Sequence, residues 1–283
     1  MKDFAGRTAV VTGGGSGIGR GIARSLARRG MNVVVSDVES DAAQETASDL
    51  EQFAVTAIAV ATDVADFESV SELAEVSRTR FGDIHILVNN AGVSVARRGI
   101  DATYEDWQWV LGVNLWGVVH GIQAFLPGML AAGHEGHIVN TASMNGLFPS
   151  SYSAMYSTSK YGVIGLTDTL RNELRDTPIS ITALCPAGVV SRIMDAARNR
   201  PAELTAPTPP PPHVKSSELD LSPALEPDQV GELVVRGIER DQLYVFTDPK
   251  NQLTIQERHD RMMGEFAHLA EWIASGSPSS PGA

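Results

Sequence analysis

Cysteine is nearly missing from this chain. Cys185 is the only one in 283 residues. No disulfide can close within the chain, which fits a reducing compartment. Cys185 sits in the apolar run "ISITALCPAG" and reads as a buried, inert thiol. Positive charge is also short: 22 Lys and Arg stand against 34 Asp and Glu, a formal net charge of -12. Such a chain repels phosphate backbones, so nucleic acid is not expected as a partner. The opening "MKDFAGRTAVVTGGG" has no apolar core of signal-peptide length. One stretch, "VLGVNLWGVVHGIQAFLPGMLAAG", is long and mostly apolar. Asn114, His120 and Gln123 interrupt it, and Pro127 lies near its end. A core helix is expected there rather than a membrane span. The expectation is a soluble, cytoplasmic protein with no membrane partner.

What is present is an alternation of short β-rich runs and helical patterns. "TAVVTG", "NVVVSD", "VTAIAVATD", "IHILVNNAG", "GHIVNTAS", "SITALCPAG" and "LYVFTD" read as strands. Helical patterns separate them, the last of these being "DQVGELVVRGIER". The strand runs are nearly continuous Val, Ile and Leu, as in a parallel sheet covered on both faces. This predicts an α/β fold with right-handed crossovers: a Rossmann-like, doubly wound parallel sheet in three α/β/α layers. The chain reads as a single dinucleotide-binding catalytic domain over 1–283. The Pro- and Ser-rich region 195–228 is expected to be a flexible lid, and 275–283 a disordered tail. A charged helix, "TIQERHDRMMGEFAHLAEWIA", lies between. Its Phe266, Leu269 and Trp272 share one side, for burial in the monomer or for contact with another copy.

"TGGGSGIG" follows the first strand and opens the first helix. Glycines there let backbone approach a pyrophosphate whose charge rests on the helix N-terminus. Gly13, Ser16, Gly17, Ile18 and Gly19 form this candidate cradle. Asp37 ends the second strand. It either accepts hydrogen bonds from an adenosine ribose or caps the next helix. The first role would repel a 2′-phosphate, and no Lys or Arg lies within the glycine turn. NAD is therefore expected over NADP, with Arg20 a possible complication.

Lysine is scarce: Lys2, Lys160, Lys215 and Lys250 are all there are. Lys160 follows Tyr156 by four residues in "SAMYSTSKYG", so both project from one helix face. A free phenol, pKa about 10, is a poor base at neutral pH. A nearby ammonium favours the phenolate and moves it toward working range. A compact ammonium also suits a ribose better than the rigid fork of arginine.

These motifs resemble the short-chain dehydrogenase/reductase family. The resemblance is carried by "TGGGSGIG", "NNAG" from Asn89 to Gly92, Asn114, Ser143 and "YSTSK", over roughly the first two-thirds of the chain. It implies that Tyr156 exchanges a proton with the substrate oxygen, which Ser143 hydrogen-bonds. It implies that Lys160 binds the nicotinamide ribose and tunes Tyr156, and that Asn114 holds a water linking Lys160 to solvent. Asp63 and Val64 would flank the adenine, and Asn90 and Gly92 would line the cofactor. Each has a plainer alternative: Ser143 as a helix cap, Asn114 as a partner for backbone groups, Asp63 as the cap of the helix near Phe67. The family usually shows Pro-Gly where this chain has "CPAGVVS", with Ala187 in the glycine place and Ser191 where threonine is common. Pro186 and Val189 still match, which implies a backbone contact from Val189 to the carboxamide.

Residues near the expected site are mostly apolar. Val93, Asn145, Phe148, Tyr152, Met155, Val190 and Met194 are the candidate substrate pocket, beside Val95, Met144 and Leu147. Such a lining suits a bulky, aromatic or hydrophobic secondary alcohol or its ketone. A small hydroxy acid would call for a cationic clamp, for which Arg97, Arg98 and Arg192 are the nearest candidates. "MKDF", "RPA", the long insert and "LEPDQVGELVVRGIERDQLYVFTDP" are similar to the Cα-dehydrogenases that act on β-aryl ether lignin dimers. That likeness implies a lid over a large aromatic substrate. The family also implies a homodimer or homotetramer. No metal is expected. The rival readings are an NADP-dependent carbonyl reductase, a sugar epimerase or dehydratase, and a silent nucleotide-binding scaffold.

Overall fold

The computed structural model describes residues 1–205 and 225–275. The middle of the expected lid, 206–224, and the expected tail beyond Ser275 lie outside the described residues. The chain divides into two compact units, Met1–Thr247 and the part from Asp248 onward.

The first unit is a seven-stranded parallel sheet. Its strands are β1 (Thr8–Thr12), β2 (Asn32–Asp37), β3 (Ala57–Ala61), β4 (Ile86–Asn89), β5 (Gly136–Thr141), β6 (Ile179–Cys185) and β7 (Tyr244–Phe246). Their spatial order is β3-β2-β1-β4-β5-β6-β7. The helices are α1 (Gly17–Arg28), α2 (Ser40–Leu50), α3 (Phe67–Phe81), α4 (Tyr104–Leu111), α5 (Gly117–Ala132), α6 (Ala154–Glu173) and α7 (Pro227–Glu239). Every residue of β1, β4 and β5 is buried, the reason these runs lack polar alternation. Helices α1, α2 and α7 close one face over Val11, Val33 and Val35, through Ile22, Leu26 and Val234. Helices α3, α5 and α6 close the other. The strand order reverses between β1 and β4, where Val10 pairs with Leu87. The crevice at their carboxyl ends is where ligands bind in such sheets.

The long apolar stretch is a core helix. The run from Tyr104 to Ala132 is long and apolar enough to cross a membrane, but half of its most apolar window is buried. A π-helical turn, Gly112–Trp116, joins α4 to α5 and carries the buried Asn114 inward.

The second unit contains α8 (Gln252–Ala274), a 23-residue helix with no buried residue. Phe266, Leu269 and Trp272 are exposed on it.

Candidate active site

The glycine turn is held from below by one side chain. Asn90 Nδ2 donates to the carbonyls of Thr12 and Gly13, at 3.1 and 3.3 Å. The amides of Asn90 and Ala91 donate to Thr12 Oγ1, and Thr141 Oγ1 donates to Asn90 Oδ1 at 3.2 Å. The carboxyl ends of β1, β4 and β5 are thus fastened together. A Cβ at Gly19 would lie 2.1 Å from the Gly13 carbonyl oxygen, so the first turn of α1 packs beneath the loop only because Gly19 has none.

Asp37 does not cap α2, whose N-cap residue is Glu39. Its Oδ2 accepts from the Gly15 amide at 2.9 Å and its Oδ1 from the Glu39 amide at 3.0 Å. The carboxylate therefore sits at the rim of the turn. Arg20 pairs with Glu45 and Asp49, which takes its charge away from that rim. Asp63 does not cap α3 either. Asp66 does, accepting from the Glu68 amide, while Asp63 closes its own turn through the Ala65 amide.

At the opposite end, α6 presents Tyr156 and Lys160 one turn apart. Lys160 is buried, and its Nζ donates to the Thr141 carbonyl at 2.8 Å. Burial lowers its pKa to about 8. The expected depression of Tyr156 is not found. Burial raises its pKa, while a hydrogen bond from Ser143 acts in the opposite direction. Loss of hydration outweighs the partner in this cleft. Ser143 also accepts from the Asn145 amide at 3.1 Å, so it caps the short turn Met144–Gly146 as well as facing Tyr156. That turn packs tightly on α6: a Cβ at Gly146 would lie 2.6 Å from the Lys160 carbonyl oxygen. The Met144 amide donates to the Pro186 carbonyl at 3.0 Å, joining the Ser143 turn to the loop after β6.

Asn114 binds backbone, though not that of its own helix. Its side chain accepts from the Val93 amide at 2.8 Å and donates to the Val93 carbonyl at 3.0 Å. It also donates to Ser159 Oγ, which donates in turn to the Tyr156 carbonyl. It lies behind the cleft wall, next to Lys160, both facing Gly92.

A single cleft of about 640 Å³ joins the two ends. Gly13, Ser16, Gly17, Ile18, Asp37, Asp63, Val64, Asn90 and Gly92 line it, with Ser143, Tyr156, Lys160, Pro186 and Val189. Of the candidate pocket, Val93, Val190 and Met194 line it. Asn145, Phe148, Tyr152 and Met155 do not. Neighbouring helical residues point about 100° apart, so Met155 enters the core with Val93, Trp109 and Val110 while Tyr156 faces the cleft. Asn145 spends its amide on Ser150 and Ser153. Tyr152 is exposed, with a left-handed backbone, φ 62°. The Ala187 amide is anchored on Thr247 Oγ1, and the Val190 amide donates to the Leu225 carbonyl at 3.1 Å. These bonds give the loop a definite path without the family's glycine.

Residues 7–202 match the family described as short chain dehydrogenase. The chain belongs to the short-chain dehydrogenase family. It is 33% identical to a C alpha-dehydrogenase of Sphingobium sp. strain SYK-6, over 95% of this chain and 89% of the relative. It is 31% identical to a 1-deoxy-11-beta-hydroxypentalenate dehydrogenase of Streptomyces avermitilis, over 96% of each. A crystal structure of a short chain dehydrogenase/reductase from Burkholderia phymatum in complex with NAD superposes with a TM-score of 0.89. It is 34% identical, and all of both chains is covered.

For a short-chain dehydrogenase the sequence left several cleft residues unsignalled. Gln108 and Trp109 come from α4 and Val113 from the π-helical turn, while Pro201, Glu203 and Leu204 belong to the region expected as a lid, though none was singled out by itself. Behind them lies a buried ion cluster. Asp106 accepts from Arg97 and, at 2.6 Å, from Arg200. Arg200 also stacks over the Trp109 ring, 5.2 Å from its centroid. Nothing in local spacing marks Arg200 and Asp106 as partners.

Proposed function

We propose that this short-chain dehydrogenase uses NAD to interconvert a bulky, aromatic or hydrophobic secondary alcohol and its ketone. The observation that carries the reading is the single cleft running from Asp37, past Ser143, Tyr156 and Lys160, to an apolar end at Trp109, Met194 and Leu204. The residues fit a dinucleotide. The turn at Gly13, Ser16, Gly17 and Ile18 presents backbone to a pyrophosphate. Asp37 would accept from a ribose hydroxyl, and Asp63 and Val64 would flank the adenine. Asn90 and Gly92 line the cleft between. Lys160 would meet the second ribose, and Pro186 and Val189 the carboxamide. NAD, when bound, supplies the hydride acceptor. The complex of the Burkholderia relative with NAD supports this choice, and Asp37 disfavours NADP.

The chain's own groups move the proton. Tyr156 would take it as the phenolate in oxidation and give it back as the phenol in reduction. Ser143 donates a hydrogen bond to the substrate oxygen as charge develops there. Lys160, its pKa lowered by burial to about 8, would hold the nicotinamide ribose one helical turn from Tyr156. Asn114 holds the adjoining backbone of Val93 and α6 in place.

The apolar far end supports the substrate class. The cations considered for a hydroxy acid are all engaged: Arg97 with Asp106, Arg98 with Asp101, Arg192 with Glu39. Eight residues between Ile193 and Leu204 line the cleft, in keeping with a lid. The names of the Sphingobium and Streptomyces relatives support dehydrogenation of an alcohol carbon. A homodimer or homotetramer in the cytoplasm belongs to the same proposal, and light scattering checks the assembly. The deciding test is the initial rate of NADH formation with aryl and small aliphatic secondary alcohols, each also run with NADP. Aryl carbinols should turn over fastest with NAD. Faster NADP reduction, or a preference for small alcohols, overturns the corresponding half.

A further inference from the structure

Glu39 follows Asp37 by two residues and begins α2. Its carboxylate gathers four hydrogen bonds from the far side of the cleft. Arg198 donates twice to Oε1, at 2.6 and 2.9 Å. Asn199 Nδ2 donates to Oε1 at 2.9 Å, and Arg192 to Oε2 at 3.2 Å. These three lie in the segment after β6, more than 150 residues away. On its way there the segment passes the glycine turn, where Ser191 Cβ lies 3.1 Å from the place of a Cβ on Gly17. Arg192, Arg198 and Asn199 line the same cleft as Asp37 and Val38.

Two guanidiniums at the adenosine end of a dinucleotide cleft are the usual means of holding a 2′-phosphate. Here both are spent on Glu39. Arg198 is occupied further by the carbonyls of Arg192 and Asp195. The Asp37 oxygens are bound to the Gly15 and Glu39 amides, so its charge adds to the rim without its hydrogen bonds being spent on either guanidinium. Asp195 stands 3.8 Å from Arg198 as well. Removing the Glu39 carboxylate frees the guanidinium hydrogens it holds and makes the rim one charge less negative.

We propose that Glu39 is a specificity-determining residue: it excludes the 2′-phosphate of NADP by holding Arg192 and Arg198 in its own hydrogen bonds at the rim of the cleft. The inference rests on the cleft holding a dinucleotide, as proposed above.

The experiment is a fluorescence titration of NADH and NADPH onto the whole protein at fixed ionic strength. The variants are Glu39→Gln, Glu39→Gln with Arg198→Met, and Arg198→Met alone. In Glu39→Gln the NADPH Kd should fall relative to the NADH Kd by roughly tenfold, the scale of one charge-assisted hydrogen bond. Adding Arg198→Met should reverse that gain, because the gain needs a free guanidinium. Arg198→Met alone leaves Glu39 with Arg192 and Asn199 only and makes the rim one charge more negative, which should weaken NADPH further than NADH. Equal changes for the two nucleotides in every variant would reduce Glu39 to a structural tie and overturn the inference. Absence of NADH binding to the unsubstituted protein would instead overturn the dinucleotide reading, and this inference with it.

Discussion

The Lys160 ammonium lies 5.6 Å from the centroid of the Tyr156 ring, while its hydrogen bond goes to the Thr141 carbonyl. The pair shares a helix face, but the lysine's direct hydrogen bond is to the end of β5. The phenol itself is shifted by burial and by Ser143.

Removing the Tyr156 hydroxyl should therefore separate chemistry from binding. Tyr156→Phe is expected to lower kcat by about 10²–10⁴-fold, the usual scale for a lost acid or base. The NADH Kd, read by fluorescence, should stay within about twofold. Unchanged turnover would remove Tyr156 from the mechanism.

Lys160 leaves a signature in stability as well. Its folded pKa of about 8 lies below the reference 10.5, so between those values the unfolded state binds more protons. Stability conferred by this group rises with pH across that window. Cys185, pushed up by burial to about 12, acts in the opposite sense above about pH 9. The informative quantity is thus the difference between the unchanged protein and Lys160→Met in chemical denaturation. It should grow by up to about 3 kcal/mol from pH 8 to 10.5. A flat difference would mean that the ammonium is hydrated.

The buried carboxylate of Asp106 pairs with two guanidiniums, one on each oxygen. Asp106→Ala would strand Arg97 and Arg200 without their common partner, at a cost of about 3–5 kcal/mol. Because Arg200 ties residues 200–204 to α4, the alcohol KM should rise while the NADH Kd holds. Parallel changes in both would show that the cluster supports the whole cleft.

Gly146 has no room for a methyl group. Gly146→Ala sets a Cβ against the Lys160 carbonyl, and backbone inside α6 cannot yield as a flexible side chain would. A stability loss of about 1–3 kcal/mol is expected. Displacement of Ser143 from Tyr156 should lower kcat more than it raises the cofactor KM. A variant with full kcat would show that the turn moves as a unit.

Element order, the parallel sheet, the glycine turn and the Tyr156–Lys160 pair were all legible in the sequence. Each depends on local rules: continuous apolar runs for buried strands, and a four-residue spacing for a shared helix face. Those rules act within a few residues, so the chain states them directly. Only the tertiary structure decided that Asp66 rather than Asp63 caps α3, that Met155 turns into the core beside a cleft-facing Tyr156, and that Trp109 and Leu204 wall the far end. It alone brought Arg198 to Glu39 and Arg200 to Asp106, across 159 and 94 residues. It also reversed the expected direction for Tyr156, because hydration lost on burial depends on every element packed around the phenol. Partners so distant in sequence meet only when the sheet brings its loops together at one edge.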